Sequence, residues 1–216
     1  MIIATMLGRL QKIIMRHRKY RAPILIYLDN FEKVMQTDLS AYNNSWFKPG
    51  AGVIKRWLWF YINAIFINSN LIPLPAIKVF LLRLFGAKIG TGVMIKPKVN
   101  IKYPWNISIG NYTWIGEEVW IDSLAKVTIG NNVCISQGAY LLTGNHDFTK
   151  LTFDLMVENI VLEDGVWIGA KSIVCPGITC FSHSVLTAAS IATKNLEAYS
   201  IYRGNPAEKI KDRVIV

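Results

Sequence analysis

The chain contains 216 residues, of which 52% are hydrophobic, and it carries a formal net charge of +10. The charge is uneven: residues 1–86 hold 12 Lys/Arg against 3 Asp/Glu, a balance of +9, whereas residues 87–216 hold 12 against 11, a balance of +1. Because the larger part is nearly neutral, it lacks the basic stripe that a nucleic-acid partner requires. The composition therefore argues against nucleic acid. It favours an anionic membrane surface as the partner of the basic front segment, or no partner at all.

Residues 1–34 are predicted to form a basic amphipathic extension outside the core. Apolar residues recur near helical spacing from Ile2 to Ile14, and a basic run follows at 16–21. A secretory signal has its charges before the apolar run, so this segment does not have that pattern. The order is typical of a basic helix that makes peripheral contact with a membrane. A poorly ordered extension is the alternative.

Residues 35–88 are predicted to form an N-terminal helical cap. The most apolar stretch, 57–67, is interrupted by Asn63 and is shorter than the roughly 20 residues that span a bilayer. We expect a helix that covers the open end of the domain that follows. The alternative is a helix lying in a membrane interface, with Lys55 and Arg56 at its polar start. A second helix is predicted over Ala76–Phe85, ending at Gly86.

Residues 89–191 repeat every six positions, with a large aliphatic residue first and a mostly small residue fifth. A period this short predicts a parallel β-helix, an all-β solenoid. One hexad cannot fold alone, because burying its aliphatic side chain yields roughly 1.5–3 kcal/mol whereas ordering its residues costs about 9 kcal/mol. Stacking pairs both edges of each rung and makes the balance favourable. The leading residues are Ile89, Ile95, Ile101, Ile109, Ile115, Ile121, Ile129, Ile135, Leu141, Leu162, Ile168, Val174, Cys180 and Leu186.

A polar excursion over 143–159 interrupts this register and contains His146, Asp147, Asp154 and Glu158. Loops on a rigid scaffold are where functional residues collect. We therefore expect the chemistry at this excursion, with His146 as its central residue.

No metal site is predicted. A three-histidine zinc site would need all the histidines of the chain, and His17 lies outside the repeats. We expect His183, at a turn of the repeats, to be structural or solvated. The odd number of cysteines, all at repeat positions, indicates reduced packing residues and a cytoplasmic location.

Several segments together resemble the hexapeptide-repeat acyltransferase superfamily, and within it the colanic-acid-biosynthesis type of acetyltransferase. The resemblance covers most of the chain, from about Thr37 to Arg213, and Met35 resembles a common start of family members. It implies a left-handed parallel β-helix, a homotrimer, and acetyl-CoA bound between neighbouring subunits. The segments that carry it are the hexads, Thr143–Phe148, Gly165–Ala170, Tyr202–Ala207, Phe80–Gly90 and Tyr103–Gly110.

The resemblance implies that His146 is the general base. An alcohol is a poor nucleophile until its proton leaves, so acetyl transfer to a hydroxyl needs a base that works near neutral pH. Something must orient the imidazole ring. Asp147, Asp154 and Glu158 are the candidates, and the sequence does not choose among them.

The resemblance also implies cofactor-binding positions along the edges of the coils. Trp167 could instead pack against the turns at Trp114 and Trp120. Residues 192–216 are expected to form a tail that folds over the cofactor site. The implied positions are Trp167, Gly169, Ala170, Thr187, Ala188, Lys194 and Arg203.

One departure concerns the acceptor. Members of the galactoside type place an asparagine before the catalytic histidine where this chain has Gly116, so the acceptor is expected to be held differently, with Asp122 as a contact. The predicted function is O-acetylation of a sugar in exopolysaccharide, capsule or lipid-linked glycan biosynthesis. The alternatives are O-acetylation of an antibiotic and a non-catalytic β-helix scaffold.

Overall fold

The computed structural model describes residues 36–216, so the predictions for residues 1–34 and Met35 lie outside the described residues. These residues form two compact units. The larger contains 45–146 with 155–216, and the smaller contains 36–44 with 147–154.

The larger unit is built from short strands separated by tight turns. The strands are β1 (Lys88–Ile89), β2 (Met94–Ile95), β3 (Asn100–Ile101), β4 (Ile107–Ile109), β5 (Trp114–Ile115), β6 (Trp120–Asp122), β7 (Val127–Ile129), β8 (Cys134–Ile135), β9 (Tyr140–Leu142), β10 (Gly144–His146), β11 (Leu155–Val157), β12 (Ile160–Leu162), β13 (Trp167–Ile168), β14 (Ile173–Val174), β15 (Thr179–Cys180), β16 (Val185–Leu186), β17 (Ile191–Ala192), β18 (Ser200–Gly204) and β19 (Ala207–Asp212).

Three parallel sheets form the faces of a coil. The first has the order β1-β4-β7-β12-β15, the second β19-β18-β16-β13-β8-β5-β2 and the third β17-β14-β9-β6-β3. Successive strands along the chain belong to successive sheets, so the chain winds around a common axis. The rungs are 20 residues apart where Met94 pairs with Trp114, and 18 apart where Trp167 pairs with Val185. The predicted parallel β-helix is therefore confirmed.

The leading residues of the hexads fill the interior. Ile95, Ile115 and Ile135 lie one above another in the second sheet and are at most 1% exposed. The smaller fifth-position residues, such as Val99 and Val119, are buried too. Each rung thus packs against its neighbours above and below, and this mutual burial provides the stability that one hexad lacks.

Close backbone approach explains the glycine that follows many of the leading residues. Gly110 lies against the backbone of Gly130 in the next rung, where a Cβ would come within 2.6 Å of the Gly130 carbonyl. Any side chain at this position would push the rungs apart.

Among residues 36–216, two helices precede the coils: α1 (Val53–Ile62), which continues as a π-helical turn (Asn63–Ile67), and α2 (Pro75–Leu84). Trp59 is buried at 2% exposure, and its indole Nε1 donates a hydrogen bond to Ile101 O at 2.8 Å. The Asn63 side chain donates to Asn100 Oδ1 at 2.8 Å. These contacts hold α1 on the first coil. Within residues 36–216, no helix has the length and apolarity needed to cross a membrane.

The tail extends the second sheet. Strand β18 pairs in parallel with β16, and β19 returns antiparallel to β18. The smaller unit contains a 3-10 turn, Leu39–Ala41, capped by the Asp38 carboxylate. Asp38 N donates to Leu151 O at 2.8 Å, which joins its two chain segments.

Candidate active site

A two-stranded ribbon carries His146 away from the coils. Strands β10 and β11 pair antiparallel, with His146 opposite Leu155 and Gly144 opposite Val157. The ribbon leaves the coil at the corner between the third and first sheets, which we call the third corner. His146 is half-buried, and its backbone N–H donates a hydrogen bond to Asn145 Oδ1 at 2.8 Å. A paired ribbon fixes His146 more firmly than an irregular loop would.

Thr143 anchors the base of this ribbon and was not recognised in the sequence. It is fully buried, and its hydroxyl donates to Asp122 O while accepting from Leu124 N at 3.0 Å. Its carbonyl accepts from Glu158 N at 2.9 Å. Thr143 therefore links the preceding rung to both strands of the ribbon. The only sequence signal was its position at the point where the register breaks.

Asp122 lies on the rung below the ribbon, also at the third corner. It is 5% exposed, and Lys102 Nζ stands 3.2 Å from its Oδ1. A Cβ added to Gly144 would lie 3.3 Å from Asp122 Oδ2. Burial, and then the negative charge of Asp122, raise the pKa of Tyr140. The structure thus places Asp122 beside the strand that contains His146.

A cleft opens on the same side of the molecule, between α1 and the third sheet. Its volume is about 450 Å³, and its walls combine two cations, several amides and aromatic rings. Trp120 stacks on Tyr140 at 4.8 Å between ring centroids, with an interplanar angle of 15°. Charged and amide groups beside aromatic faces suit a polar ring-shaped ligand. The lining includes Arg56, Trp59, Asn63, Asn100, Lys102 and Trp120.

Asp147 and Asp154, two of the candidate orienting carboxylates, belong to the smaller unit. Asp147 accepts from the Thr149 hydroxyl at 2.5 Å, and Asp154 accepts from Thr152 at 2.7 Å and from Lys150 at 2.9 Å. The hydrogen bonds from Thr149 lower the pKa of Asp147, and those from Thr152 and Lys150 lower the pKa of Asp154. Both carboxylates therefore have partners within their own loop.

Glu158, the third candidate, is exposed on the larger unit. Its backbone closes the ribbon, and its carboxylate lies against Gly177, a turn residue with φ +80°. The carboxylate of Glu158 thus contacts the turn of a following coil.

Most of the implied cofactor positions line a second corner, between the second and third sheets. Gly169 N donates to Leu186 O at 2.7 Å, which sets Gly169 and Ala170 directly under Thr187 and Ala188. Thr187 N in turn donates to Tyr202 O at 2.9 Å, the residue before Arg203. These positions form a column of small, mostly accessible residues along the coil axis. Such a column lets an extended ligand approach the backbone closely.

Trp167 lies next to this column and is 48% exposed. Its indole Nε1 donates to Ser136 Oγ at 3.0 Å. In the second sheet it is separated from Trp114 by Cys134, and Trp120 belongs to the third sheet. The strand register therefore does not place Trp167 against the turns at Trp114 and Trp120.

The two implied phosphate-binding cations lie near the C-terminal end of the coils. Arg203 follows Tyr202 in β18 of the second sheet, whereas Lys194 follows β17 of the third sheet and therefore lies at the third corner. Lys194 pairs with Glu208 at 2.7 Å, and this hydrogen bond raises the pKa of Lys194. Arg203 is exposed and lies opposite Glu208 in the tail hairpin. Both cations are accessible to an anionic ligand at the end of the coils.

The two groups of residues occupy different corners of one chain. His146, Asp122 and Lys102 follow strands of the third sheet, whereas Gly169 and Thr187 precede them. No group of three or more His, Cys, Asp or Glu side chains suited to a metal ion occurs among residues 36–216.

No family model matches the chain. The chain is 39% identical over 177 residues to "Putative colanic acid biosynthesis acetyltransferase WcaF" of Escherichia coli (strain K12), covering 82% of this chain and 97% of that protein. A hexapeptide-repeat acetyltransferase of Vibrio cholerae, solved with acetyl coenzyme A, is similar with a TM-score of 0.68 at 24% identity over 77% of this chain and 92% of that chain. A galactoside acetyltransferase solved with coenzyme A has a TM-score of 0.65 at 25% identity over 74% and 80%.

The identity to the first of these relatives extends over almost its whole length. The solved structures share the fold over about three quarters of the chain. The predicted enzyme class, acetyltransferase, is confirmed at the level of the family, and the two solved structures hold acetyl coenzyme A or coenzyme A. This chain belongs to the hexapeptide-repeat acetyltransferases, and within them to the colanic-acid-biosynthesis type.

Proposed function

We propose that this protein transfers an acetyl group from acetyl-CoA to a hydroxyl of a sugar in exopolysaccharide, capsule or lipid-linked glycan biosynthesis, with His146 as the general base. The observation that carries the proposal is the ribbon. It holds a half-buried histidine at the third corner, on the side where the cleft opens, and the first residue of its strand, Gly144, lies beside Asp122. A scaffold protein would need neither the interruption of the coils nor the histidine.

The cleft supports a carbohydrate acceptor. It reaches the third corner at Lys102, one rung below Asp122 and two rungs below the base of the ribbon. At roughly 4.8 Å per rung, this places the cleft about 10 Å along the axis from the residues that lead to His146. A sugar ring stacked near Trp120 could extend a hydroxyl toward the imidazole, with Asp122 and Lys102 as polar contacts.

The column at the second corner supports binding of acetyl-CoA, which supplies the acetyl group as an activated thioester. Trp167, Gly169 and Thr187 would contact the extended arm. Lys194 and Arg203 would meet its phosphates as charge-assisted donors. Because the column and His146 lie at different corners of one chain, a complete site fits an assembly in which a neighbouring subunit brings its column to this ribbon. We therefore propose a homotrimer.

The chemical task of His146 is to move one proton. The imidazole of His146 accepts the proton of the sugar hydroxyl as the hydroxyl oxygen forms its bond to the acetyl carbon, and the carbon–sulfur bond breaks. The proton then passes to the sulfur, so that an acetyl ester and a thiol are formed. General base catalysis of this kind contributes about 10²–10⁴-fold. The candidates for orienting the imidazole ring are Asp147, Asp154 and Glu158.

The basic extension, residues 1–34, supports a further part of the proposal. A lipid-linked acceptor lies at a membrane, and a basic amphipathic segment would bring the enzyme to the same surface. Cosedimentation of the full chain with membranes, compared with a variant in which Arg16, Arg18 and Arg21 are replaced by Gln, tests this contact. Unchanged membrane binding of the variant would contradict a role for the extension.

The principal test compares two matched histidine variants of the full chain. His146→Asn is expected to bind acetyl-CoA as tightly as the wild type, measured by calorimetry, but to acetylate glycan acceptors about 10²–10⁴ times more slowly. His183→Asn is the control, because His183 stacks on Tyr199 at 4.8 Å and adopts φ +60°, which asparagine tolerates. The control is expected to keep wild-type turnover.

Two outcomes would contradict the proposal. If His146→Asn turned over acceptors as fast as His183→Asn, His146 would not be the base. If folded wild-type protein bound neither acetyl-CoA nor CoA, the transferase itself would be excluded. The thermal shift offers an independent readout, since a ligand at about 100 times its Kd stabilises the fold by roughly 2.7 kcal/mol.

A further inference from the structure

Helix α1 has an outer face that the coils do not cover. We define the α1 outer face as Ile54, Trp57, Leu58, Tyr61 and Ile65. These residues follow one another at helical spacing and are between 48% and 77% exposed. Soluble monomers rarely expose a contiguous apolar stripe of this kind, and such a stripe marks an interaction site. The inner face is already occupied, because Trp59 and Ile67 are buried against the first coil.

Aromatic rings dominate this face. Trp57 and Tyr61 lie with ring centroids 6.1 Å apart, and Phe60 meets Tyr61 edge-to-face at 5.3 Å. Tryptophan and tyrosine are enriched where protein meets the headgroup level of a bilayer, since their rings are apolar at one end and polar at the other. The helix is too short to span a bilayer, so its geometry suits lying in the interface rather than crossing it.

The charged residues of the segment that contains α1 and α2 have a single sign. Residues 45–86 contain five Lys/Arg and no Asp/Glu. Lys78 among these is fully buried, whereas Lys48 and Arg83 are exposed. Lys55 and Arg56, the two cations of α1 itself, are half-buried, and their charge is complementary to anionic headgroups.

A groove of about 300 Å³ runs beside the stripe, lined by Val53, Arg56, Trp57 and Phe60. Arg56 Nε is buried and has no hydrogen-bond partner among residues 36–216. A buried guanidinium nitrogen without a partner is costly unless a ligand satisfies it. A phosphate at the mouth of the groove would supply the acceptor oxygen, while the apolar lining would contact an acyl chain.

Other occupants of the face fit less well. Residues 1–34 carry seven Lys/Arg against two Asp/Glu, so packing them here would bring like charges together. A second copy meeting this face symmetrically would oppose its own Arg56 and Lys55. We infer that the α1 outer face docks on an anionic lipid bilayer, with Arg56 contacting a lipid phosphate. This contact is separate from the one proposed for residues 1–34, and it does not depend on the acceptor or on His146.

The test measures partitioning of the full chain into vesicles of phosphatidylcholine alone and of phosphatidylcholine with phosphatidylglycerol in equal parts. The wild type is expected to bind the anionic vesicles. Leu58→Glu/Tyr61→Glu is expected to partition at least about tenfold more weakly, which corresponds to ~1.4 kcal/mol. The matched control, Ile210→Glu/Val214→Glu, adds the same charge at exposed apolar residues of the tail and should keep most of the binding.

A second measurement needs no disruptive substitution. Lipids brominated in their acyl chains should quench tryptophan fluorescence of the bound wild type, and Trp57→Phe should remove much of that quenching. Circular dichroism and acetyl-CoA binding show whether each variant is folded.

Three results would overturn the inference: no binding of the wild type to anionic vesicles, equal loss in the α1 variant and the tail control, or equal binding to neutral and anionic vesicles. If sedimentation showed instead that only the α1 variant changes the oligomeric state, without a change in vesicle binding, a second copy would be the occupant.

Discussion

The coils and helix α1 are both rich in large apolar residues, but they bury them to different extents. In the coils, Ile95, Ile115 and Ile135 are at most 1% exposed, because each rung has a neighbour above and below. In α1 only Trp59 is buried, because the helix has the first coil on one side and solvent on the other. In the coils, then, the large apolar side chains at the leading positions are buried by packing within the chain. In α1, most of the large apolar side chains are left exposed by that packing. This exposure indicates a second contact.

The largest effect is expected from a truncation inside the coils. Ile135 is buried between Ile115 and Ile168 of the adjacent rungs, so Ile135→Ala should lower the free energy of unfolding by about 2–5 kcal/mol. Urea unfolding monitored by circular dichroism measures it. A loss below about 0.5 kcal/mol would mean that the rungs do not pack as one core.

The next largest effect on stability is expected from a side chain that pushes two rungs apart. A Cβ at Gly169 would come within 2.6 Å of the Thr187 carbonyl carbon in the next coil, and backbone cannot move aside cheaply. Gly169→Ala should therefore destabilise the fold by about 1–3 kcal/mol. Gly52→Ala is the control, since nothing lies within 4 Å of a Cβ there. Equal stability of the two variants in urea would contradict the close approach.

A smaller effect, on function, is expected where α1 meets the coils. Lys102→Met removes a cation from the cleft and should raise the acceptor KM roughly tenfold, ~1.4 kcal/mol, without changing acetyl-CoA affinity. Lys98→Met is the matched control, because Lys98 also pairs with a carboxylate, Glu118, at 3.2 Å, but in an exposed position. If the substitution lowered the affinity for acetyl-CoA and left the acceptor KM unchanged, Lys102 would contact acetyl-CoA rather than the acceptor.

A pH-dependent effect is expected at the buried lysine of α2. Lys78 Nζ donates to Lys96 O at 2.8 Å and is fully buried, and this burial lowers the pKa of Lys78 below its usual 10.5. The unfolded chain then holds the proton more tightly than the folded one, so unfolding free energy should rise as pH increases toward 10.5.

Lys78→Met removes this contribution. The difference in unfolding free energy between wild type and Lys78→Met should therefore increase in favour of the wild type as pH rises to that value. Urea unfolding over a pH series measures the difference. A difference that stays constant, or that declines with pH, would show that burial does not perturb this lysine.

The smallest effect on stability is expected on the α1 outer face. Leu58→Ser removes an apolar side chain that is 54% exposed, so the free energy of unfolding should change by less than about 0.5 kcal/mol. The contrast with Ile135→Ala tests the opening comparison directly. A loss of several kcal/mol would mean that the face is already packed in the folded chain.

Much of the fold could be predicted from the sequence, because the first and fifth positions of each hexad show which side chains point inward. The strand that begins each rung, the small residues at the turns and the interruption at His146 were all visible in this way. Helix α1 begins at Val53, before the apolar stretch 57–67 from which it was predicted. Helix bounds depend on packing as well as on the local sequence pattern.

The candidate site was predicted only in part. His146 was recognisable from the interruption and the resemblance, and Asp122 from its offset. Thr143 and Lys102 were not, because a threonine at a loop base and a lysine at an exposed hexad position carry no distinguishing local signal.

By itself, then, the sequence determined the solenoid and the histidine at its break, because each of these follows from a period or a residue type. Only the tertiary structure decided which residues share a corner. That depends on how many residues complete each rung: 20 before the ribbon, 18 after it and 16 at the last rung. It also decided that α1 covers the first coil with one face alone, since an end of a stack offers a helix a single surface to bury.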